Sequence, residues 1–482
     1  MTGAPVLWTA ADLTAATRGR VEGAWQSVTG VSIDTRSLAP GELFVALEGE
    51  NRDGHAFVAD ALAKGAGAAL VTRRPEDVAA DAPLLVVGDT LAGLQAIGRA
   101  GRDRATAKVV AVTGSVGKTS TKEMLRQILA TAGTVHAAEK SFNNHWGVPL
   151  TLARMPPDAD FAVIEIGMNH PGEITPLSRM ARPHVAVVTT VEAVHLEHFN
   201  SVAEIADAKA EIFQGLDPGG TAVLPADNPY FGRLSALTGG ANQIRFGQTG
   251  DFRLLSAKVA GEATVIRAEV GDAPLSFKLG APGAHFAGNA LAALAAAVEV
   301  GADLARCAVA LCQWKAAEGR GSRWEILLGP AGLDGKLSLI DESYNANPAS
   351  MRAALAVLAT APVTDDIGRV ARGRRIAFLG DMLELGPQEK EFHAGLADLA
   401  EIEDIDLIHC CGPRMRSLWH ALPTERRGEW CEDSEKLASL TRRLVDAGDV
   451  CMVKGSLGAR MICVVDAVKS LGSARAPRAG EE

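Results

Sequence analysis

Short, continuous apolar runs separated by stretches of helical spacing recur along almost the whole chain. Continuous runs, rather than strict alternation, are what strands show when both faces of a parallel sheet are covered. In the first 105 residues, "LFVAL" (43–47), "AALVT" (68–72) and "LLVV" (84–87) predict strands, and "AFVADALAKG" (56–65) predicts a helix between the first two. The polar string "GRDRATA" (101–107) reads as a hinge. Beyond it, "KVVAVTG" (108–114), "FAVIEIG" (161–167) and "HVAVVTT" (184–190) are strands with helices between them, which implies a parallel sheet. From about 251 to 280, "FRLLSAKVA", "ATVIRAEV" and "LSFKLG" alternate and predict an antiparallel addition, followed by an alanine-rich helix at about 284–300. A third pattern of strands and helices follows 326, with strands "LSLID" (337–341), "RIAFLGD" (375–381), "DLIHCCG" (406–412) and "DVCMVKG" (449–455). The tail "SARAPRAGEE" reads as disordered.

The expected fold is therefore α/β in three domains: a small N-terminal α/β domain (1–105), a central P-loop domain with a parallel sheet and an antiparallel addition (106–326), and a C-terminal Rossmann-like α/β domain (327–482). No internal repeat of fixed short period is present.

Composition narrows the classes. Of 482 residues, 47% are hydrophobic and 22% charged, enough to bury a large core. The net charge of −10 lacks the basic face of a duplex-DNA binder, so no nucleic acid is expected as partner. No basic stretch followed by an apolar one opens the chain, and no run of about 18 apolar residues occurs, so neither a leader nor a membrane span is expected. The seven cysteines are odd in number, two are adjacent (Cys410 and Cys411) and none forms a C-x-x-C pair, which fits a reduced, cytoplasmic protein.

The first candidate chemistry is "AVTGSVGKTSTKEML" (111–125). The strict phosphate-loop pattern is G-x-x-x-x-G-K-[ST]. Gly117, Lys118 and Thr119 fit it, but the outer glycine is replaced by Val112, and the nearest glycine is Gly114. The stretch still follows an apolar strand and opens a helix, with apolar residues at 124, 125, 128 and 129. Gly114 and Gly117 free the backbone amides of Ser115, Val116 and Ser120 to face a phosphate, and the helix N-terminus adds positive charge. Lys118 would reach the terminal phosphates and Thr119 a divalent cation. Glu165 ends a neighbouring strand, at the carboxyl edge where open α/β sheets bind ligands.

The loop without its outer glycine resembles that of the Mur ligase superfamily. The resemblance extends in order through "DTRSLAPGELFVALEGENRDGHAF" (34–57), "TGSVGKTSTKEM" (113–124), "SFNNHWGVPLTL" (141–152), "EIGMNHPGEI" (165–174), "HLEHF" (195–199), "AKAEIF" (208–213), "HFAGNALAALA" (285–295), "DESYNANPASM" (341–351) and "GDMLELG" (380–386). Within the superfamily it is similar to the branch that adds D-alanyl-D-alanine to UDP-N-acetylmuramoyl-tripeptide. D-G-A-H-N-P in place of "DESYNANP" would point to folylpolyglutamate synthase, and D-Y-x-H-x-P to the earlier muramyl ligases; another amide ligase of the superfamily is the alternative. A nucleotide-switched protein would be expected to carry Asn-Lys-x-Asp, which is absent. An inactive scaffold would not keep Lys118, Thr119, Glu165 and His195 together.

The resemblance implies roles. ATP and Mg2+ are the implied cofactors, and the two small-molecule substrates are the implied partners of a monomer. Thr119, Glu165, His195 and a carbamylated Lys209 are the implied metal ligands, with Lys118, Glu165, His195 and Lys209 catalytic. Read from the residues alone, Lys209 is a solvated helix lysine and His195 a lone structural histidine. His198 and Glu192 are weaker neighbours, and Asn169 and His170 would line the cleft beyond Glu165. Asn289 and Arg320 are implied to hold the nucleotide, Arg323 being a rival for the second role, and Asp341, Tyr344 and Asn345 to hold its ribose and base. Asn347 and Pro348 are helix-start residues. Thr35, Arg36, Asp53, Gly54 and His55 resemble the uridine-diphosphate site. Asn143 and Asn144 either position substrate or shape a turn. Near the end, "VKGSLGARM" carries Leu457 where many relatives have arginine; Lys454 and Ser456 would face the acceptor, and Arg460 is the available substitute.

Overall fold

The computed structural model describes residues 5–49, 52–139, 141–194 and 196–476. A two-stranded ribbon, Trp8–Thr9 with Ser27–Val28, and three larger sheets carry the chain.

The first sheet has five strands in the order Arg20–Glu22, Leu84–Val86, Ala68–Val71, Leu43–Val45 and Val31–Ser32. All neighbours are parallel except the first pair. Its two edge strands escape a periodicity reading because they are two or three residues long. The helix expected at 56–65 forms as a single 3-10 turn, Gly54–Phe57, continued by Val58–Ala63.

The string read as a hinge is instead the end of a helix, Thr90–Arg104. It packs so closely on Gly147–Ala153 that a Cβ on Gly101 would lie 2.2 Å from the Leu152 carbonyl oxygen. Its arginines are anchors rather than solvated loop charges. Buried Arg102 donates from Nε to the Ala181 carbonyl at 2.7 Å and from Nη2 to that of Arg182 at 2.9 Å, closing the end of the helix Ile174–Ala181. Arg104 lies 3.3 Å from the Trp8 ring centroid and donates to the Leu7 carbonyl, while the Trp8 indole N–H bonds the Ala153 carbonyl at 2.8 Å. The first domain is therefore riveted to the second.

The central sheet has nine strands, with Lys108–Thr113 between Phe161–Glu165 and Val185–Val188. It is parallel from Val135–Ala137 to Phe252–Ala260 and becomes antiparallel through Ala263–Val270 and Ala273–Leu279, as the alternating segments predict. The alanine-rich helix forms as Phe286–Glu299 and buries ten residues, which is why its sequence is apolar on nearly every side.

The third sheet has seven strands, in the order Arg427–Cys431, Leu407–Cys411, Arg375–Gly380, Val450–Lys454, Lys336–Glu342, Ser322–Leu328 and Gly472–Arg475. The strand Ser322–Leu328 pairs antiparallel with Lys336–Glu342, so residues from 322 belong with this sheet. The other edge strand is Gly472–Arg475, of which residues 473–475 were expected in the disordered tail, and Arg475 bonds Glu325 at 3.1 Å. The last six residues of that expectation lie outside the described ones. All seven cysteines are free thiols. Among the described residues no helix is long and apolar enough to cross a membrane.

Candidate active site

The strand Lys108–Thr113 ends at the phosphate loop, and Val112 is a strand residue buried in the core, which is why no glycine stands there. The chain turns at Gly114 and Gly117, both at positive φ (148° and 85°). A Cβ on Gly114 would meet the Thr189 hydroxyl at 1.9 Å, and one on Gly117 would meet Asn289 Oδ1 at 2.5 Å. Asn289 thus lies directly against the loop, as expected of a nucleotide-side residue. The helix Lys118–Leu129 opens without a side-chain cap, leaving its first amides free to take an anion.

Lys118 is half-buried and its Nζ donates to the Gly114 carbonyl at 2.7 Å. Burial pushes its pKa down, Glu165 opposes that shift and Arg320 adds to it. The Thr119 hydroxyl donates to Glu165 Oε2 at 3.0 Å and lies 3.1 Å from the Ser141 hydroxyl. Asn143 Nδ2 donates to the other Glu165 oxygen at 2.8 Å. Glu165 is buried, so its carboxylate is oriented from both sides. Asn144 accepts from the Gly147 N–H at 2.9 Å, so it shapes the turn, while its neighbour Asn143 serves Glu165.

Lys209 is not a solvated lysine. It ends the helix Val202–Ala210 with 2% exposure. Among the described residues no carboxylate lies within 4 Å of its ammonium. Burial, reinforced by the like charge of Lys118, drives its pKa well below the ordinary lysine value. His195 lies outside the described residues. Of its neighbours, His198 stacks on His170 with ring centroids 4.2 Å apart, and the Glu192 N–H bonds the Ser115 hydroxyl at 2.9 Å.

The phosphate loop, Ser141, Asn143, Asn144, Glu165 and His170 open on a cavity of about 1390 Å3, whose lining does not include Lys209, Glu192 or His198. The central sheet supplies the phosphate loop, Glu165, Asn143, Asn144, Asn169 and Asn289. The third supplies Tyr344, Asn345 and Lys454. Arg320 lines it too, 4.1 Å from the Tyr344 ring centroid and donating to Ser141 Oγ at 3.2 Å. Its rival Arg323 pairs with Glu262 and stands off the cavity. Asp341 does not face the cavity either: fully buried, it accepts from the Ser343 N–H and hydroxyl and shapes the loop that presents Tyr344. Asn347 caps its helix with Pro348 following, as expected. Buried Lys454 bonds Glu342 at 3.2 Å and the Asn345 carbonyl at 3.0 Å. Ser456 is structural, accepting from the Leu383 N–H, and Arg460 pairs with Glu435 at 2.7 Å instead of replacing the missing arginine at Leu457.

Thr35, Arg36, Asp53, Gly54 and His55 belong to the first domain and are not part of this cavity's lining. Arg36 pairs with Asp34 at 2.7 Å in the open. Asp53 caps the turn Gly54–Phe57; the His55 backbone N–H, with the His55 ring and Arg73 after it, holds its carboxyl down at about 2. Sequence reading missed Ser141, His285, Glu342 and Gln95, all of which line the cavity. The first three lie inside the quoted motifs and were within reach; nothing local marks Gln95.

Three family models cover most of the chain: the Mur ligase family catalytic domain at residues 27–102, the Mur ligase middle domain at 112–297 and the Mur ligase glutamate ligase domain at 323–457. The UDP-N-acetylmuramoyl-tripeptide–D-alanyl-D-alanine ligase of Escherichia coli (strain K12) is 38% identical over 96% of this chain and 99% of its own. The chain belongs to the Mur ligase family. Among solved Mur ligases, MurF from Acinetobacter baumannii superposes with a TM-score of 0.81 at 30% identity, covering 96% of this chain and 98% of its own. MurF from Thermotoga maritima, crystallised in complex with ADP, gives a TM-score of 0.74 at 26% identity over 92% and 97%. The shortened phosphate loop is thus a Mur ligase loop.

Proposed function

We propose that this chain is the ATP-dependent ligase that joins D-alanyl-D-alanine to UDP-N-acetylmuramoyl-tripeptide. The observation that carries this reading is the single cavity in which an uncapped helix N-terminus, Lys118 and the Thr119–Glu165 pair face groups from the third sheet. The full-length likeness to the E. coli enzyme names the substrates.

Two steps follow. An oxygen of the precursor's terminal carboxylate bonds to the γ-phosphorus of ATP, the bridge to the β-phosphate breaks, and ADP and an acyl phosphate result. The amine of D-alanyl-D-alanine then bonds to the activated carbonyl carbon, the carbon–oxygen bond to phosphate breaks, and the amine sheds a proton. No protein nucleophile is needed, so catalysis is positioning and charge neutralisation. The loop amides and Lys118 grip the phosphates. Arg320 and Tyr344 flank the nucleotide beside Asn289.

The donor set fits Mg2+: Thr119 and Glu165 are oxygen ligands already 3.0 Å apart, and Mg2+ prefers oxygen. His195 and a carbamylated Lys209 complete the set in this reading. When bound, the ion supplies charge stabilisation to the transferring phosphoryl group. The reading takes the chain as a cytoplasmic monomer, where its free thiols would stay reduced.

The deciding assay is phosphate release from ATP. It should require both the UDP-muramoyl tripeptide and D-alanyl-D-alanine; release with either alone at the full rate would overturn the reading.

The reading also divides the ligands between domains. Arg36→Ala on the first sheet should raise KM for the UDP-precursor about tenfold and leave that for ATP within twofold, since a charge-assisted contact contributes about 1.5–3 kcal/mol. Asn345→Ala should do the reverse. Equal effects of either variant on both ligands would contradict the division.

A further inference from the structure

The loop that presents Tyr344 and Asn345 is exposed at its tip and anchored from beneath through its backbone. The Tyr344 N–H donates to the Gly319 carbonyl at 3.1 Å. The Lys454 ammonium donates to the Asn345 carbonyl at 3.0 Å, and the Ser456 hydroxyl donates to the next carbonyl, that of Ala346, at 3.3 Å. Lys454 ends the strand Val450–Lys454 and Ser456 stands two residues on, so one stretch of chain holds two consecutive carbonyls of the loop.

Lys454 is matched in register with Glu342 on the neighbouring parallel strand, and its ammonium bonds that carboxylate at 3.2 Å. With 2% exposure and a carboxylate partner, the ammonium has little charge left to offer a second carboxylate. Taking it away would strand Glu342 as a partly buried charge, which is costly. The pair also lies toward the nucleotide side of the cavity. A Cβ on Gly321 would stand 3.2 Å from Glu342 Oε1 and 3.6 Å from the Phe286 ring, and Phe286 opens the helix that carries Asn289. On the other side of the loop the Arg320 guanidinium lies over the Tyr344 ring.

Read from the sequence, Lys454 and Ser456 would face the acceptor. Their bonds run to the nucleotide loop instead. We propose that Lys454, neutralised by Glu342 and seconded by Ser456, is a positioning residue for the nucleotide: it fixes the height of the Asn345 carbonyl and so the pose of Tyr344 and Asn345. Such a residue touches no substrate, yet sets how well the residues that do are placed. The proposal rests on the ligase reading above, in which this loop serves the nucleotide, and it moves Lys454 from the acceptor to ATP.

The test uses calorimetric titration with ADP and Mg2+ beside steady-state KM values for all three substrates. K454M leaves Glu342 without its cation, so K454M/E342Q, in which neither group is charged, carries the measurement, with the melting temperature as folding control. The double variant should weaken ADP about tenfold and raise KM for ATP to match, while KM for D-alanyl-D-alanine and for the UDP-precursor stays within twofold. A raised KM for D-alanyl-D-alanine with ADP affinity unchanged would return Lys454 to the acceptor and overturn the proposal. An equal loss for all three substrates would make the pair a packing element and overturn it too. In a chain already carrying Y344A and N345A, K454M/E342Q should weaken ADP less than twofold further, because the loop has no side chains left to place. A further tenfold loss there would mean direct contact with the nucleotide and end the positioning role. If the wild type binds ADP and the variant binds it equally, this inference alone fails; if the wild type binds no ADP, the ligase reading fails and the inference with it.

Discussion

Lys118→Ala should abolish ATP-dependent phosphate release, lowering kcat by about 10^3-fold or more, while the fold survives. The loss is large because this ammonium belongs to the phosphate loop itself and lines the cavity beside Thr119 and Glu165. Removing one preorganised donor from a developing charge typically costs 10^2–10^3-fold, about 2.7–4 kcal/mol, and a full positive charge in a partly dry site contributes at least that. The fold should persist because Lys118 bonds only carbonyls of its own loop. Glu165→Gln tests the same machinery from the neighbouring strand: it keeps the shape but removes the charge that Thr119 and Asn143 orient. Steady-state phosphate release with circular dichroism as the folding control checks both, and near-normal turnover in either variant would remove the assignment.

Lys209→Ala should lose activity by a comparable factor, and small carboxylates such as acetate should restore part of it. A lysine buried to 2% exposure with no carboxylate partner is costly to keep charged. Burial and the like charge of Lys118 both favour the neutral amine, which is the form that reacts with CO2. The carbamate so formed is an anion with two oxygens, matched to the oxygen-donor set of Thr119 and Glu165. In the alanine variant the side chain's volume is vacated within reach of the Lys118 charge, and acetate would supply the missing anion there. Full activity in Lys209→Ala, or loss that no carboxylate relieves, would leave Lys209 as a packing residue. Its burial already answers the sequence-level alternative of a solvated helix face.

Where sequence and structure agree, a local physical rule was sufficient. The phosphate loop is legible because strand, glycines and helix start are contiguous, and the missing outer glycine has a simple cause in buried Val112. Glu165 is legible because strand ends in parallel sheets converge on one edge. Where they differ, the deciding contact is distant in sequence. "GRDRATA" looks like a linker until Ala181 and Arg182 supply carbonyls for Arg102. Asp341 looks like a ligand until Ser343 turns back on it. Arg460 looks like a substitute until Glu435, on another helix, takes it. Lys209 is the clearest case, since helical spacing gives its face but not the neighbours that cover it. The residues read as a uridine-diphosphate site lie outside the cavity lining, a separation from the phosphate loop that follows only from where the first sheet docks.

That docking has an entropic consequence. The seam of Gly101 against Leu152, Arg102 against Ala181 and Trp8 against Ala153 leaves the first two domains no independent orientation to lose. Aligning a bound precursor with the phosphate loop is thus settled once, when the chain folds, and is not repeated in every catalytic cycle. The third sheet brings Tyr344, Asn345 and Lys454 to the same cavity through a short connection containing Gly319 and Gly321, both at positive φ (72° and 101°). The seam between the first two sheets thereby works as a fixed jig.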